Sequence, residues 1–201
     1  MDTCLAACSV AVLDGEQVLA TVSEPMVRGH QERLAMMVRE AVGAAGLAFG
    51  ALDRIGVTVG PGSFTGLRVG LAFAKGLGAA LGKPVVGVGA LEALAGERSG
   101  LVVAAVDARR EQVYVQAFEA GRPLMKPVAL RADDAIAEIR RLGEPVALVG
   151  AGAPLLAEAF PHARLEPDAV PDPVVVARIA TRSEAPPRPL YLRAPDAVLP
   201  A

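Results

Sequence analysis

At 201 residues the chain is long enough for one large or two small domains, and with 53% hydrophobic residues it can bury a sizeable core. Only 3% of residues are aromatic and Trp is absent, so that core is expected to be aliphatic and alanine-rich. A formal net charge of −2 argues against a protein that grips nucleic acid through bulk positive field. Taken in order, Met1-Asp2-Thr3 reads as the end of a strand whose beginning is missing. Cys4 and Cys8, the only cysteines, are too few and too close for a disulfide framework. With no secretory leader ahead of them, they are expected to be buried, inert thiols in a reducing cytoplasm. Residues Ala7 to Leu13 and Gln17 to Val22 read as a hairpin around Asp14-Gly15. His30, beside Arg28 and Glu32, reads as a solvated or capping residue. From Gln31 to Ala45 an apolar stripe of Leu34, Met37, Val38, Ala41 and Val42 predicts a helix that Gly46 ends.

The stretch from Ile55 to Leu81 is the most organised part of the chain. Ile55 to Val59 is a β-branched buried strand. Gly60-Pro61-Gly62-Ser63-Phe64 cannot continue it, and Ser63 or Thr65 can cap the helix that follows. That helix should run to about Leu81, where Gly82 and Pro84 stop it. Gly70, Gly76 and Gly78 lie in its interior, a loss of roughly 2–3 kcal/mol against alanine that needs a compensating contact. Gly66, Gly70, Ala74 and Gly78 recur every fourth residue and leave one helix face without side chains. Another backbone can approach there, either the protein's own sheet or, the sharper expectation, a second helix. A membrane span is not expected, because Arg68 and Lys75 interrupt the apolar run. The loop invites an anion reading through Gly62, Ser63, Thr65 and Arg68 at a helix N-terminus, although it is neither a P-loop nor a dinucleotide fingerprint.

Val85 to Val88 is the next strand, followed by a short helix near Leu91 to Ala95. Gly96 to Gly100 reads as a domain boundary, which divides the chain into residues 1–99 and 100–201. The second half opens with a strand from Leu101 to Asp107, a partner from Gln112 to Glu119 and a turn at Ala120-Gly121. Asp2 and Asp107, and the glycine turns behind them, recur at an offset of about a hundred residues, which implies two related halves. The second half then thins out: a helix over 132–142, a strand over 146–149, helices near 155–160 and 174–181, and a proline-rich, mostly irregular tail.

Gly60 to Leu77, GPGSFTGLRVGLAFAKGL, resembles the signature of the TsaB (YeaZ) family. Asp2-Thr3, Val85 to Val88 with Leu91 to Leu94, Val106 to Arg110 and Tyr191-Leu192-Arg193 match that family in the same order. The resemblance implies an α/β, two-lobed actin-like and Hsp70-like fold, a duplicated ribonuclease H-like unit, here with a degenerate second lobe. It also implies several apolar residues ahead of Asp2, so the start is expected to be short of a full first strand.

The implied role is non-catalytic. Such a subunit docks on the catalytic subunit TsaD, together with the ATPase TsaE, and permits threonylcarbamoyl transfer to an adenosine beside the tRNA anticodon. No cofactor is expected on this chain alone. ATP or ADP and metal belong to the partner subunits, tRNA is met only through the complex, and no membrane is involved. The related catalytic subunits carry a metal through paired histidines on one helix, whereas this chain has only His30 and His162. A four-helix bundle is implied for both the homodimer and the TsaD complex. The expected interface is Leu34, Met37, Val38 and Ala41 with Gly66, Gly70, Ala74 and Gly78. In active members of the fold class, glycine amides after each strand-ending Asp cradle phosphate. Here Asp2-Thr3-Cys4-Leu5-Ala6-Ala7 and Asp107-Ala108-Arg109-Arg110 contain none, so both loops look disarmed. No catalytic or metal-binding residue is therefore expected. An active small-molecule kinase or ATPase, and a homodimeric structural protein, are the alternatives.

Overall fold

Alternating apolar runs pair first as a hairpin of β1 (Ala7–Asp14) and β2 (Gln17–Pro25), turned at Gly15 with φ 56°. The structure, a computed structural model, describes residues 1–193. Helix α1 (His30–Ala44) follows and buries Leu34, Met37, Val38, Ala41 and Val42. A βαβ unit comes next: β3 (Ile55–Thr58), α2 (Phe64–Leu81) and β4 (Val85–Val88), with the two strands parallel. Ser63 caps α2 by accepting from the Gly66 amide, and Gly82 ends it in the left-handed region at φ 64°.

Met1 and Asp2 stand between the hairpin and β3. Asp2 and Ser9 exchange both main-chain bonds, at 2.8 and 3.0 Å. On the other side the Met1 nitrogen donates to the Gly56 carbonyl at 2.9 Å, and the Thr58 amide donates to the Met1 carbonyl at 3.2 Å. The first lobe therefore runs β2, β1, Met1–Asp2, β3, β4, its central strand antiparallel to β1 and parallel to β3.

After α3 (Ala90–Ala95) the second lobe repeats this order at full length. Its elements are β5 (Leu101–Arg109), β6 (Gln112–Glu119), β7 (Arg122–Pro123), β8 (Val128–Arg131), α4 (Ala132–Leu142), β9 (Ala147–Val149), α5 (Pro154–Ala157), β10 (Arg164–Glu166) and α6 (Pro173–Arg182). The sheet runs β8, β6, β5, β9, β10, with β5 antiparallel to β6 and parallel to β9. Val103, Val113, Val115, Ile139, Leu148 and Phe160 form its core. The expectation of a thinning second half is corrected here. Among the described residues this lobe has the larger sheet, because β8 and β10 pair where only loop was expected.

Two helices cross between the lobes. Leu91, Leu94 and Ala95 of α3 pack on Val102, Ala104 and Val149 of the second sheet. Val176 and Ala180 of α6 return to Val86 and Val88 of the first. Ala180 sits where a Cβ on Gly56 would fall, so that glycine lets α6 lie close on β3. The division at Gly96–Gly100 thus separates the sheets, while α6 packs with the first lobe. Residues 194–201, the end of the proline-rich tail, lie outside the described residues.

Candidate functional site

The two strand-ending aspartates occupy equivalent places and make the same local bond. The Asp2 carboxylate accepts from the Cys4 amide at 2.9 Å, and that of Asp107 accepts from the Arg109 amide at 2.7 Å. Asp2 is 0% exposed, and the Thr58 hydroxyl donates to it at 2.6 Å. Its second oxygen has no partner, and burial raises its carboxyl above the ordinary value of 3.8, against the opposing pull of Thr58 and the Cys4 amide. Cys4 and Cys8 are both buried free thiols, and burial pushes Cys8 up to about 11. At the other loop Arg109, Arg110 and Glu111 all have positive φ, at 66°, 54° and 58°. Neither loop, Asp2 to Ala7 nor Asp107 to Glu111, contains a glycine.

The corner from Gly60 to Arg68 is a clamp. The Ser63 amide donates to the Cys4 carbonyl at 2.7 Å, and a Cβ on Gly62 would fall on that same carbonyl. The Ser63 hydroxyl is used in capping Gly66. The Arg68 guanidinium lies 3.7 Å from the Phe64 ring centre and donates to the Tyr191 hydroxyl at 3.4 Å. Of the four residues named for an anion, Thr65 remains exposed, Gly62 and Ser63 hold the clamp, and Arg68 is engaged by Phe64 and Tyr191. The half-exposed Phe64–Tyr191 pair, centroids 5.6 Å apart, was not legible from local sequence, because 127 positions separate 64 from 191.

The expected helix–helix interface needs correction. Leu34, Met37, Val38 and Ala41 are at most 3% exposed and pack with Cys8, Val10 and Val12 of β1. Gly66, Gly70, Ala74 and Gly78 are also buried. A Cβ at Gly66 would meet the Thr3 carbonyl, one at Gly70 the Thr3 hydroxyl, and one at Gly78 the Val85 side chain. The stripe lets α2 lie directly on the protein's own strands, and the Thr3 hydroxyl uses the approach to donate to the Gly66 carbonyl at 2.7 Å. His30 is corrected as well: it is 7% exposed rather than solvated.

What α1 and α2 turn outward is a different set. Val69, Phe73 and Leu77 pack towards α1, and the exposed residues of α2 after Arg68 are Ala72, Lys75, Gly76, Ala79 and Ala80. A Cβ on Gly76 would meet nothing within 4 Å. On α1, Ala35 and Met36 are exposed, the latter 43%. Helix α2 therefore sets small residues against the sheet and, between Arg68 and Lys75 and its C-terminal end, small residues against solvent as well.

Residues 17–170 match the family described as TsaD: tRNA N6-adenosine threonylcarbamoyltransferase. An uncharacterized protein of Mycobacterium tuberculosis is 39% identical over 85% of this chain and 78% of its own length. The tRNA threonylcarbamoyladenosine biosynthesis protein TsaB of Haemophilus influenzae is 39% identical over 57% of this chain and 50% of its own. The solved structure of YeaZ from Pseudomonas aeruginosa superposes with a TM-score of 0.75 at 29% identity, covering 95% of this chain and 97% of that one. The chain belongs to the TsaB/YeaZ family. Its fold is accordingly the actin-like α/β fold, and the repeated strand order of the two lobes is that fold's duplication.

Among the described residues of this TsaB-family chain, no group of three or more His, Cys, Asp or Glu side chains could hold a metal. No described helix is long and apolar enough to cross a membrane. Tyr191 reaches the start of α2 because the tail runs along the first sheet: the Gly87 amide donates to Ala185 at 2.8 Å and the Leu190 amide to Val59 at 2.7 Å. The family's closing Tyr191-Leu192 thus lies beside its GPGSFTGLR corner.

Proposed function

We propose that this chain is a non-catalytic, activating subunit for threonylcarbamoyl transfer to a tRNA adenosine, acting by docking on a TsaD-type catalytic subunit. The observation that carries the reading is the exposed run of small residues Ala72, Gly76, Ala79 and Ala80 on α2, flanked by Arg68 and Lys75, with Met36 exposed on α1. Such a ridge lets a second helix pair approach to backbone distance, and a flexible thioether fills what remains. The buried Asp2 and the glycine-free Asp107 loop support a binding role over chemistry of its own.

On this reading the ATPase TsaE, the nucleotide, the metal and the tRNA are met in the assembled complex, in the cytoplasm where tRNA is modified. In the absence of TsaD the same ridge pairs two copies of the chain. The test is association with the catalytic subunit by sedimentation, using Gly76→Leu and Met36→Asp. Both side chains point into solvent, so both variants should fold, judged by circular dichroism, while affinity for TsaD and for a second copy falls together. Unchanged affinity in folded Gly76→Leu places the docking face elsewhere.

A further inference from the structure

An open cavity of about 440 Å³ lies where the lobes meet, at the end of the second sheet opposite Asp107. Leu101 pairs with Glu119 at that end and Asp107 with Val113 at the other, about 20 Å apart along the strands. The cavity is therefore separate from the two aspartate loops. Three pieces of chain wall it. Helix α3 contributes Glu92, α6 contributes Val175, Ile179 and Arg182, and the turn between β6 and β7 contributes Arg122. That turn is tight, with Ala120 and Gly121 both left-handed at φ 46° and 75°. It stands against the end of α3, where a Cβ on Gly121 would lie 3.6 Å from the Gly96 carbonyl oxygen.

The charges there do not satisfy one another. Among the described residues Glu92 accepts no hydrogen bond and joins no ion pair, and Arg122 has no carboxylate partner. Glu92 folds back towards Gly89, the cap of α3, with Oε2 3.7 Å from the place of a Cβ there, yet no amide donates to it. Partial burial raises its carboxyl above the ordinary value of 4.5, and Arg182 is the cation that pulls the other way. Arg182 nonetheless forms no ion pair with Glu92. It pairs loosely with exposed Glu97 at 3.7 Å, and Glu97 also takes Arg178 at 3.5 Å. The Ser183 hydroxyl on the same wall is already used, donating to the Gly87 carbonyl at 3.0 Å and accepting from the Ala185 amide at 3.1 Å. What remains is a half-buried carboxylate from α3, guanidiniums from α6 and the turn, and open space between them. Val175 and Ile179, one turn apart on α6, supply an apolar wall.

We propose that this cavity is a binding site for a free α-amino acid with a short, branched apolar side chain. The ammonium group donates to the Glu92 carboxylate, the ligand carboxylate accepts from Arg182 and Arg122, and the side chain lies on Val175 and Ile179. Each charge that the fold leaves unmatched thereby gains a partner of opposite sign. A simple anion would suit the arginines but face Glu92, and a simple cation would suit Glu92 but face both arginines. A ligand carrying both charges a few ångströms apart suits all three groups. Because Arg122 belongs to the second lobe and α6 packs on the first, the ligand touches both lobes. The proposal does not depend on the docking function.

The test is a titration of the isotopically labelled 201-residue chain with L-valine, read at the Gly96, Gly121 and Ser183 amides by nuclear magnetic resonance. These signals should shift saturably, with half-saturation at about 1 mM or below, within reach of a ligand of this size. N-acetyl-L-valine, which lacks the ammonium, and L-valinamide, which lacks the carboxylate, should each bind about tenfold or more weakly. Both comparisons use the unaltered protein. Glu92→Gln and Arg182→Gln, checked for folding by circular dichroism, should also weaken L-valine about tenfold or more. No saturable shift at these amides up to about 10 mM L-valine overturns the proposal. Equal binding of either analogue overturns it too, since one charge then suffices. So does unchanged affinity in folded Glu92→Gln, or saturation whose shifts lie away from the cavity.

Discussion

Substituting alanine for Gly70 and for Gly76, two glycines of one helix, separates intrinsic helix preference from packing. Both lie well inside α2, so each exchange gains the same helix propensity, about 1 kcal/mol. At Gly76 the new methyl meets nothing within 4 Å, and that gain should be realised in full. At Gly70 the methyl falls on the Thr3 hydroxyl and lies 3.5 Å from a Val57 methyl. Thr3 is 1% exposed and donates to the Gly66 carbonyl at 2.7 Å. Moving it aside breaks a buried bond, at about 1–3 kcal/mol, and adds a comparable overpacking strain. The two variants should therefore differ by about 2–6 kcal/mol, which for a chain of this size is roughly 5–20 °C in thermal midpoint. Thermal unfolding followed by circular dichroism reads this directly, with Gly76→Ala above the parent and Gly70→Ala below it. A Gly70→Ala protein as stable as Gly76→Ala would mean that the stripe does not lie on the protein's own strands.

Three further outcomes follow from the same contacts. Ala120 holds φ 46° ahead of Gly121 in the turn after β6, so Ala120→Asn should stabilise by about 1 kcal/mol, and destabilisation in urea titration would show that the turn is not left-handed. Asp2 favours its neutral form in the fold, so its contribution is fully present below 3.8 and is lost as pH rises through its higher folded value. The stability of the parent relative to Asp2→Asn should then fall as pH rises above about 4, whereas a flat difference contradicts a buried, desolvated carboxyl. Phe64→Ala removes the ring beneath Arg68 and the edge of Tyr191, both half-exposed or more, and should lower the midpoint by at most about 3 °C while loosening the tail near Leu190 in hydrogen exchange.

Much of the fold was legible because its signals are local. Ser63 and Gly82 mark the ends of α2 by cap chemistry, and the runs at Ile55 and Val85 declare buried strands without reference to anything distant. Asp2 and Asp107 revealed the duplication because each ends a strand and turns back on itself in the same way. The neighbour of the glycine stripe was not legible, for a physical reason. Periodicity finds the side of a helix that needs close company, but not which neighbour supplies it, and the Gly66–Gly78 stripe is taken by Thr3 and Val85. Gly76, off that stripe, was the residue whose cost had no internal explanation. The exchange of α3 and α6 between lobes leaves no local mark, since Ala180 over Gly56 is a contact across more than half the chain. Strands β8 and β10 are too short, at four and three residues, for alternation to register.

The central claim is that the chain acts by docking rather than by chemistry of its own. The most direct measurement is formation of threonylcarbamoyladenosine on tRNA by purified TsaD and TsaE, with and without this chain. The account predicts that modification requires the chain, persists with Asp107→Asn, and is lost with folded Gly76→Leu. Full modification without the chain, or loss with Asp107→Asn while binding to TsaD is intact, would contradict it.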